Sequence, residues 1–440
     1  MSTYALIGFG VTNRCVANSL VRRGHEVAVF EDHPSSVHHG AADQLGISLQ
    51  RTDAVEQVLA TVDAVVPSPG LAESHPVFES AKRAGVPIQS EFDLAREWDQ
   101  RPLVSITGTN GKTTVTTLVS DMLNNSGIAA AAVGNTDVPL VQAIDEPSTR
   151  VFVVESSSFR LAHTQLFLPE VAAWLNFAPD HLDVHRDLRS YELAKARTWR
   201  DLGPQQVALG CRDDAVVLKH HATAPGRRVT FGSGAPAEGD YGVADGWIVG
   251  PLGRIVSVAS LRRSLPHDVT NAAAAAACAL HMGATLESVA STLQEFAGLA
   301  HRVQFVRSVS GVDYFDDSKA TAPHAVVAAL NGFESVVLIA GGRNKGLDLS
   351  ELSVLGPRLR AAVGIGEAAH DIVSAFPGCE TAIAATMDQA VQLASAFAEP
   401  GDSVVLSPGC ASFDWYSSYS ERGDDFVRAV EALGAQHVDA

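Results

Sequence analysis

The stretch that most restricts the fold of this chain is "PLVSITGTNGKTTVTTLVSDMLNNSG", Pro102 to Gly127. An apolar run enters a glycine-bearing loop, and a helix-forming run leaves it. A strand that delivers a phosphate-cradling loop onto a helix N-terminus belongs to an open α/β sheet, whose ligands bind beyond the carboxyl ends of the strands. The loop departs from the usual G-x-x-x-x-G-K-[ST] pattern. Gly111, Lys112 and Thr113 fall in place, but Ile106 stands six residues before the lysine and a glycine comes instead at Gly108. Gly108 and Gly111 free the backbone to turn its amides toward phosphate. Lys112 can reach the β- and γ-phosphates, and Thr113 can offer a hydroxyl to magnesium.

The same strand-and-helix rhythm runs on either side. "YALIGFG", "EVAVFED" and "DAVVPSPG" read as strands of a first unit, with "TNRCVANSLVRRG" as a helix. Glu97 to Pro102, "EWDQRP", reads as a linker. After the loop come the strands "RVFVVES" and "VAAWLNFA", a hairpin around Pro251 to Gly253, and the alanine-rich helix "TNAAAAAACALHMG". From His301 a third unit follows, with strands in "VQFVRSVSGVDYFDDS", "SVVLIAGGR" and "DSVVLSPG" and helices in "EAAHDIVSAF" and "ERGDDFVRAVEAL". The length of 440 residues admits about two to four domains.

Composition narrows the class. Apolar residues make up 46% and charged residues 19%, as in a well-buried globular protein. The formal charge of −18 argues against nucleic-acid or anionic-membrane binding. The five cysteines are scattered, which suits free thiols in a reducing cytoplasm, not a zinc or disulfide framework. No signal peptide is expected at "MSTYALIGFG", and no apolar run reaches the ~18 residues of a membrane span.

Several further residues carry candidate chemistry. Glu155 ends an apolar strand downstream of the loop, a usual place for a magnesium-binding carboxylate. From spacing alone, His181 reads as a helix-capping histidine and Lys195 as a solvated lysine. A protonated lysine beside magnesium would be repelled unless CO2 reversed its charge as a carbamate. In "GFGVTN", Gly8 and Gly10 match two glycines of a dinucleotide fingerprint, with Glu31 about twenty residues on. Asn13 occupies the third glycine's place, which leaves a nucleotide or diphosphate site and a generic turn as equal readings. In the third unit Arg302, Lys319 and Lys345 could pair with phosphate or carboxylate. Asp317 could accept from a ribose or orient a lysine, with Asp316 a solvated turn residue. Ser412, followed by Phe413, could bind a carboxylate, and it sits in no G-x-S-x-G elbow.

Taken in order, "TGTNGKTT", "ESSSF", Asp180–His181, "YELAKAR", "HDVTNAAAA", His301–Arg302, "DDSKAT", "GGRNKG" and "SPGCASFDWYSSYSERGDDF" resemble the Mur ligase family over nearly the whole chain. That family uses the shorter loop G-[ST]-N-G-K-[ST]-[ST], which fits Gly108 to Thr114. The resemblance implies an α/β fold of three domains: an N-terminal Rossmann-like domain (1–98), a central P-loop ATPase-like domain (99–299) and a C-terminal Rossmann-like domain (300–440). It implies an ATP-dependent amide ligase joining glutamate, expected as the D enantiomer, to UDP-N-acetylmuramoyl-L-alanine through an acyl phosphate. The chain is expected to act as a cytoplasmic monomer.

By the same resemblance, Gly108, Thr109, Asn110, Gly111, Lys112, Thr113 and Thr114 hold the phosphates of ATP. Asn271 contacts adenine, and Arg302, Asp317 and Lys319 approach ATP. Two magnesium ions are implied, one on Thr113 and Glu155, the other on His181 and a carbamylated Lys195. Val11, Thr12, Ser68, Gly70 and Asn135 line the path of the UDP-linked substrate. Thr321, Lys345, Ser412 and Phe413 hold glutamate, with Tyr419 nearby. Arg160 replaces a frequent glutamine, Asp268 an asparagine, and "EDH" at Glu31 to His33 a D-T-R-like stretch. A folylpolyglutamate synthase would lack the long unit before the loop, and the D-N-P-R motif of diaminopimelate-adding ligases is absent. An L-glutamate-adding ligase remains open. A nicotinamide-dependent oxidoreductase would explain "GFGVTN" but not the loop, Glu155 and the lysine helix together.

Overall fold

The computed structural model describes residues 1–436. The chain forms two compact units, one of Met1–Arg262 with Val269–Phe296, the other of Arg263–Asp268 with Ala297 onward.

The first unit holds two parallel sheets. Strands β1 (Thr3–Ile7), β2 (Glu26–Phe30), β3 (Leu49–Gln50) and β4 (Ala64–Pro67) form a four-stranded sheet in the order β3-β2-β1-β4. The run "DAVVPSPG" is thus the fourth strand. The two-residue β3 is too short to leave a periodic signal. Strands β5 (Leu103–Thr107), β6 (Ala130–Gly134), β7 (Val151–Glu155), β8 (Val171–Trp174), β9 (Val207–Cys211) and β10 (Arg227–Phe231) form a six-stranded sheet in the order β10-β9-β8-β5-β7-β6. All of β5 is buried, as expected of a parallel strand covered on both faces. Its neighbours β7 and β8 therefore bring their carboxyl-end loops to either side of the phosphate loop. Strands β11 (Gly242–Ala244), β12 (Trp247–Gly250) and β13 (Gly253–Ser257) make a small antiparallel sheet that includes the expected hairpin.

One apolar cluster joins both parallel sheets, through Leu6 of β1 and Phe152 of β7 with Leu20 and Leu140 from the helices Val11–Arg22 and Leu140–Ala143. A second packs β5 against the helix Lys112–Asn125 and against Ala272–Ala279 of the helix Pro266–His281. Methyl side chains let that second helix approach closely. The expected linker begins later than Glu97. A capping box between Ser90 and Asp93 starts a helix that runs Glu91–Trp98, so only Asp99 to Pro102 join that helix to β5.

In the second unit β14 (Gln304–Val309), β15 (Val312–Asp316), β16 (Val336–Gly341), β17 (Leu359–Ile365), β18 (Glu380–Ala384) and β19 (Ser403–Leu406) form one sheet, ordered β14-β15-β19-β16-β17-β18. Only the β14–β15 pair is antiparallel. The strands β15, β16 and β19 end in "DDSKAT", "GGRNKG" and "SPGCAS".

Candidate active site

The phosphate loop is held from three directions. Gly108 has φ 157° and Gly111 φ 83°. A Cβ on Gly111 would lie 2.5 Å from Oδ1 of Asn271, so glycine is needed there for space as well as conformation. The amides of Thr109 and Asn110 donate to Asn176 Oδ1 at 3.0 and 2.8 Å. The Thr109 hydroxyl donates to the Ala178 carbonyl at 3.2 Å and lies 3.1 Å from the Tyr191 hydroxyl. Lys112 donates from Nζ to the carbonyls of Gly108 (2.8 Å) and Thr109 (2.9 Å). Thr113 and Thr114 stand in the first turn of the following helix, half-buried.

Glu155 ends β7, in register with Ile106 of β5. It is 3% exposed. One carboxylate oxygen accepts from Asn135 Nδ2 at 3.1 Å, while the other, Oε2, is buried without a hydrogen-bond partner among the described residues. A buried acceptor left open beside a phosphate loop fits a divalent cation. Lys195 is not solvated. It is 1% exposed, donates to the Gly108 carbonyl at 2.7 Å, and stands 4.5 Å from the centre of the Tyr191 ring. Burial, reinforced by the charge of Lys112, holds its ammonium pKa well below the usual lysine range.

His181 caps no helix; Asp187 caps the helix Leu188–Ala196 instead. His181 adopts φ 57°, with its amide on Asp180 Oδ1 at 2.8 Å. Its carbonyl accepts from the amides of Val184 and His185. The ring meets Phe159 edge-on at 4.7 Å.

In the first sheet, Gly8 has φ 79°, and a Cβ there would lie 2.8 Å from Cβ of Ser68. Asn13, at the third glycine's place, is fully buried and donates to the carbonyls of Ile7, Gly8 and Val66. It fastens the ends of β1 and β4 together, a structural reason for the missing glycine. Glu31 accepts from the amide of Phe9 at 2.7 Å and from that of His33 at 3.1 Å, so it braces the glycine turn. Val11 is exposed and Thr12 is buried in the first helical turn, while Ser68 and Gly70 follow β4.

Arg160 joins the two sheets. It donates to Glu91 Oε1 at 3.1 Å, Asn135 Oδ1 at 2.8 Å and Thr12 Oγ1 at 2.9 Å. The departure from glutamine at this position comes with a buried counter-charge in Glu91. Sequence reasoning missed Glu91 and also Asn176. The latter, just beyond an apolar strand in "WLNFAPDH", carried a signal in its position.

In the second unit Asp316 is no solvated turn residue. Both it and Asp317 are buried. Asp316 lies 2.6 Å from His301 Nδ1. Asp317 accepts from the Ser407 hydroxyl at 2.7 Å and the Val303 amide at 3.2 Å. Burial pushes its pKa up to about 7. Arg302 is half-buried between His301 and Val303, both at positive φ. Lys319 Nζ stands 3.7 Å over the Tyr419 ring, and Lys345 Nζ is 3.5 Å from Thr321 Oγ1. Ser412 is buried while the adjacent Phe413 is 62% exposed. Arg422, which sequence reasoning also missed, is 1% exposed and binds the Ser318 hydroxyl, the Ser318 carbonyl and the Cys410 carbonyl. It thereby fixes "DDSKAT" against "SPGCAS". Asp268 pairs with Arg263 at 3.2 Å, which gives the acid a local reason to replace an amide.

Family models agree with this arrangement along the chain. Residues 2–90 match the Mur ligase MurD-like N-terminal domain, 106–279 the Mur ligase middle domain, and 301–410 the glutamate ligase domain. The chain belongs to the Mur ligase family, and its fold is the three-domain fold of that family. Within the family it is similar to a Frankia casuarinae protein named UDP-N-acetylmuramoylalanine–D-glutamate ligase, 41% identical over 97% of this chain and 93% of that one. A Desulfosudis oleivorans protein of the same name is 38% identical, over 97% and 96%. Among solved structures, a pseudomurein peptide ligase type C from Methanothermus fervidus shares the fold with a TM-score of 0.62 at 15% identity, covering 98% of this chain and all of that one. MurF from Acinetobacter baumannii does so with a TM-score of 0.62 at 17% identity, over 96% and 90%.

Proposed function

We propose that this chain is an ATP-dependent amide ligase that adds D-glutamate to UDP-N-acetylmuramoyl-L-alanine, a step of peptidoglycan precursor synthesis. The observation that carries the reading is the convergence of two lysines, Lys112 and the buried Lys195, on the Gly108 carbonyl, next to a strand ending in Glu155 with one open oxygen. A phosphate loop in a simple nucleotide switch has no use for a second, desolvated lysine. The names of the curated relatives support the substrate pair.

In this reading Gly108 to Thr114 bind the triphosphate, and Asn271 lies toward adenine. Val11, Thr12, Ser68, Gly70 and Asn135 bind the UDP-linked substrate. Its carboxylate oxygen attacks the γ-phosphorus and ADP departs. The amine of glutamate then attacks the acyl carbon, loses a proton, and phosphate leaves. Lys112 follows the charge that moves to the leaving oxygen. Magnesium, when bound, neutralises the gathered oxygens. We assign one ion to Thr113 and Glu155 and another to His181 and Lys195. The lowered pKa of Lys195 favours a neutral amine, the form that attacks CO2 and, after losing a proton, becomes a carbamate. Thr321, Lys345, Ser412, Phe413 and Tyr419 serve glutamate, and Arg302, Asp317 and Lys319 serve ATP. We divide the chain at 98/99 and 299/300. The cysteines seen unpaired, among the described residues, support a reducing cytoplasmic setting. No helix among the described residues is long and apolar enough to cross a membrane.

The test is release of ADP and phosphate with D- and L-glutamate side by side. The proposal expects release only when UDP-N-acetylmuramoyl-L-alanine and D-glutamate are both present. Full release without either, none with both, or a preference for L-glutamate would overturn it.

A further inference from the structure

His185 is buried with both ring nitrogens engaged. Nδ1 lies 2.7 Å from Glu73 Oε1, and Nε2 lies 2.8 Å from the Ser158 hydroxyl. With its proton on Nδ1 the ring donates to Glu73 and accepts from Ser158. These residues come from three separate segments: Glu73 lies in the loop after β4, Ser158 opens the short helix Ser158–Leu161 after β7, and His185 lies in the loop after β8. Glu73 is doubly committed to the third segment. Its other carboxylate oxygen accepts from the Arg186 amide at 3.1 Å, and its own amide donates to the Val184 carbonyl at 2.9 Å.

The third segment is also the one that sets His181. The amides of Val184 and His185 close onto the His181 carbonyl, the residue held at positive φ. Phe159, next to Ser158, stacks on His185 at 5.4 Å and 22° and meets His181 edge-on. Tyr191 packs against both histidines and reaches Thr109 of the phosphate loop. A shift of Glu73 therefore has a short mechanical route to His181.

We propose that Glu73, His185 and Ser158 form a positioning relay between the loop that begins at Ser68 and the turn that presents His181. Through it, binding of the UDP-linked substrate and binding of magnesium strengthen each other. The ligase reading assigns none of the three to the reacting atoms, so they act as positioning residues. The inference rests on the ligase reading above, which places substrate at Ser68 and Gly70 and a cation at His181. Coupling of this kind is reciprocal, so it can be read from either ligand.

The experiment measures the Mg2+ concentration for half-maximal ADP release at low and at saturating UDP-N-acetylmuramoyl-L-alanine. It compares the unaltered chain with Glu73→Leu, His185→Phe and Glu73→Gln, and melting curves are recorded for each. The unaltered chain should need less Mg2+ when the substrate saturates. Glu73→Leu and His185→Phe, the latter keeping a ring against Phe159, should raise the requirement roughly tenfold and erase its dependence on substrate, with KM for ATP changed by less than about twofold. Glu73→Gln keeps an accepting oxygen and should restore most of the coupling. If His185→Phe fails to fold, the Glu73 pair still decides. Unchanged Mg2+ response in Glu73→Leu, or a defect in Glu73→Gln as large as in Glu73→Leu, would overturn the relay. An unaltered chain with no ligation activity would overturn the ligase reading and the relay with it. Activity with unaffected variants would overturn the relay alone.

Discussion

The phosphate loop of the first unit and the "DDSKAT" turn of the second each gather buried charge at the carboxyl end of a parallel strand, and they settle it differently. Around the phosphate loop, Lys112 and Lys195 both donate to the Gly108 carbonyl, and Glu155 keeps an oxygen with no partner among the described residues. Around the turn, Asp316 has His301, Asp317 has Ser407 and Val303, and Arg422 has three acceptors. A buried charge short of partners is costly unless something else supplies them. The first arrangement is built around a visitor; the second holds its own loops in place and leaves Lys345 and Phe413 at the surface to meet one. The lesson is that similar loops on similar sheets need not be equally dependent on ligand for their electrostatics.

The sharpest way to break this contrast is Lys112→Ala. It should lower kcat on the order of 10³-fold or more, because the charge it removes matters most as the phosphoryl group moves. Steady-state ADP release checks this, and near-normal turnover would remove the loop from the active site. Lys195→Ala should cost about 10²-fold, with partial recovery on adding formate or acetate to stand in for a carbamate. Full activity without the additive would exclude the carbamate.

The smallest effect belongs to the second unit. Asp317 ionises near pH 4 in an unfolded chain but near 7 when folded. Between these values the folded chain binds the extra proton, so stability falls as pH rises through the window and levels off above it. Asp317→Asn removes this dependence. Its stability relative to the unaltered chain should grow by a few kcal/mol from below pH 4 to above pH 7. Melting curves at a series of pH values read this directly, and a difference that does not vary with pH would refute it.

Much of this was legible before any coordinates. The loop, Glu155 and the ends of β15, β16 and β19 are local signals, an apolar run followed by glycine or an acid. The Mur ligase motifs are local too. What stayed hidden is made by contact between distant residues. Arg422 meets a serine 104 residues away, and His185 meets an acid at a separation of 112. Lys195 looked solvated because burial is a property of the helix's surroundings, not of "YELAKAR". The short β3 and the weakly patterned β10 gave no periodicity to read. Glu97 and Trp98 look like linker by polarity, but the capping box at Ser90 and Asp93 extends the helix through them.

The strand order of the central sheet also has a meaning in time. β5 is made first, then β6 and β7 are laid on one side and β8, β9 and β10 on the other. A ribosome that has just released the phosphate loop has not yet delivered Glu155, Asn176 or Lys195. During synthesis the loop therefore spends its early life without the groups that hold it in the finished sheet.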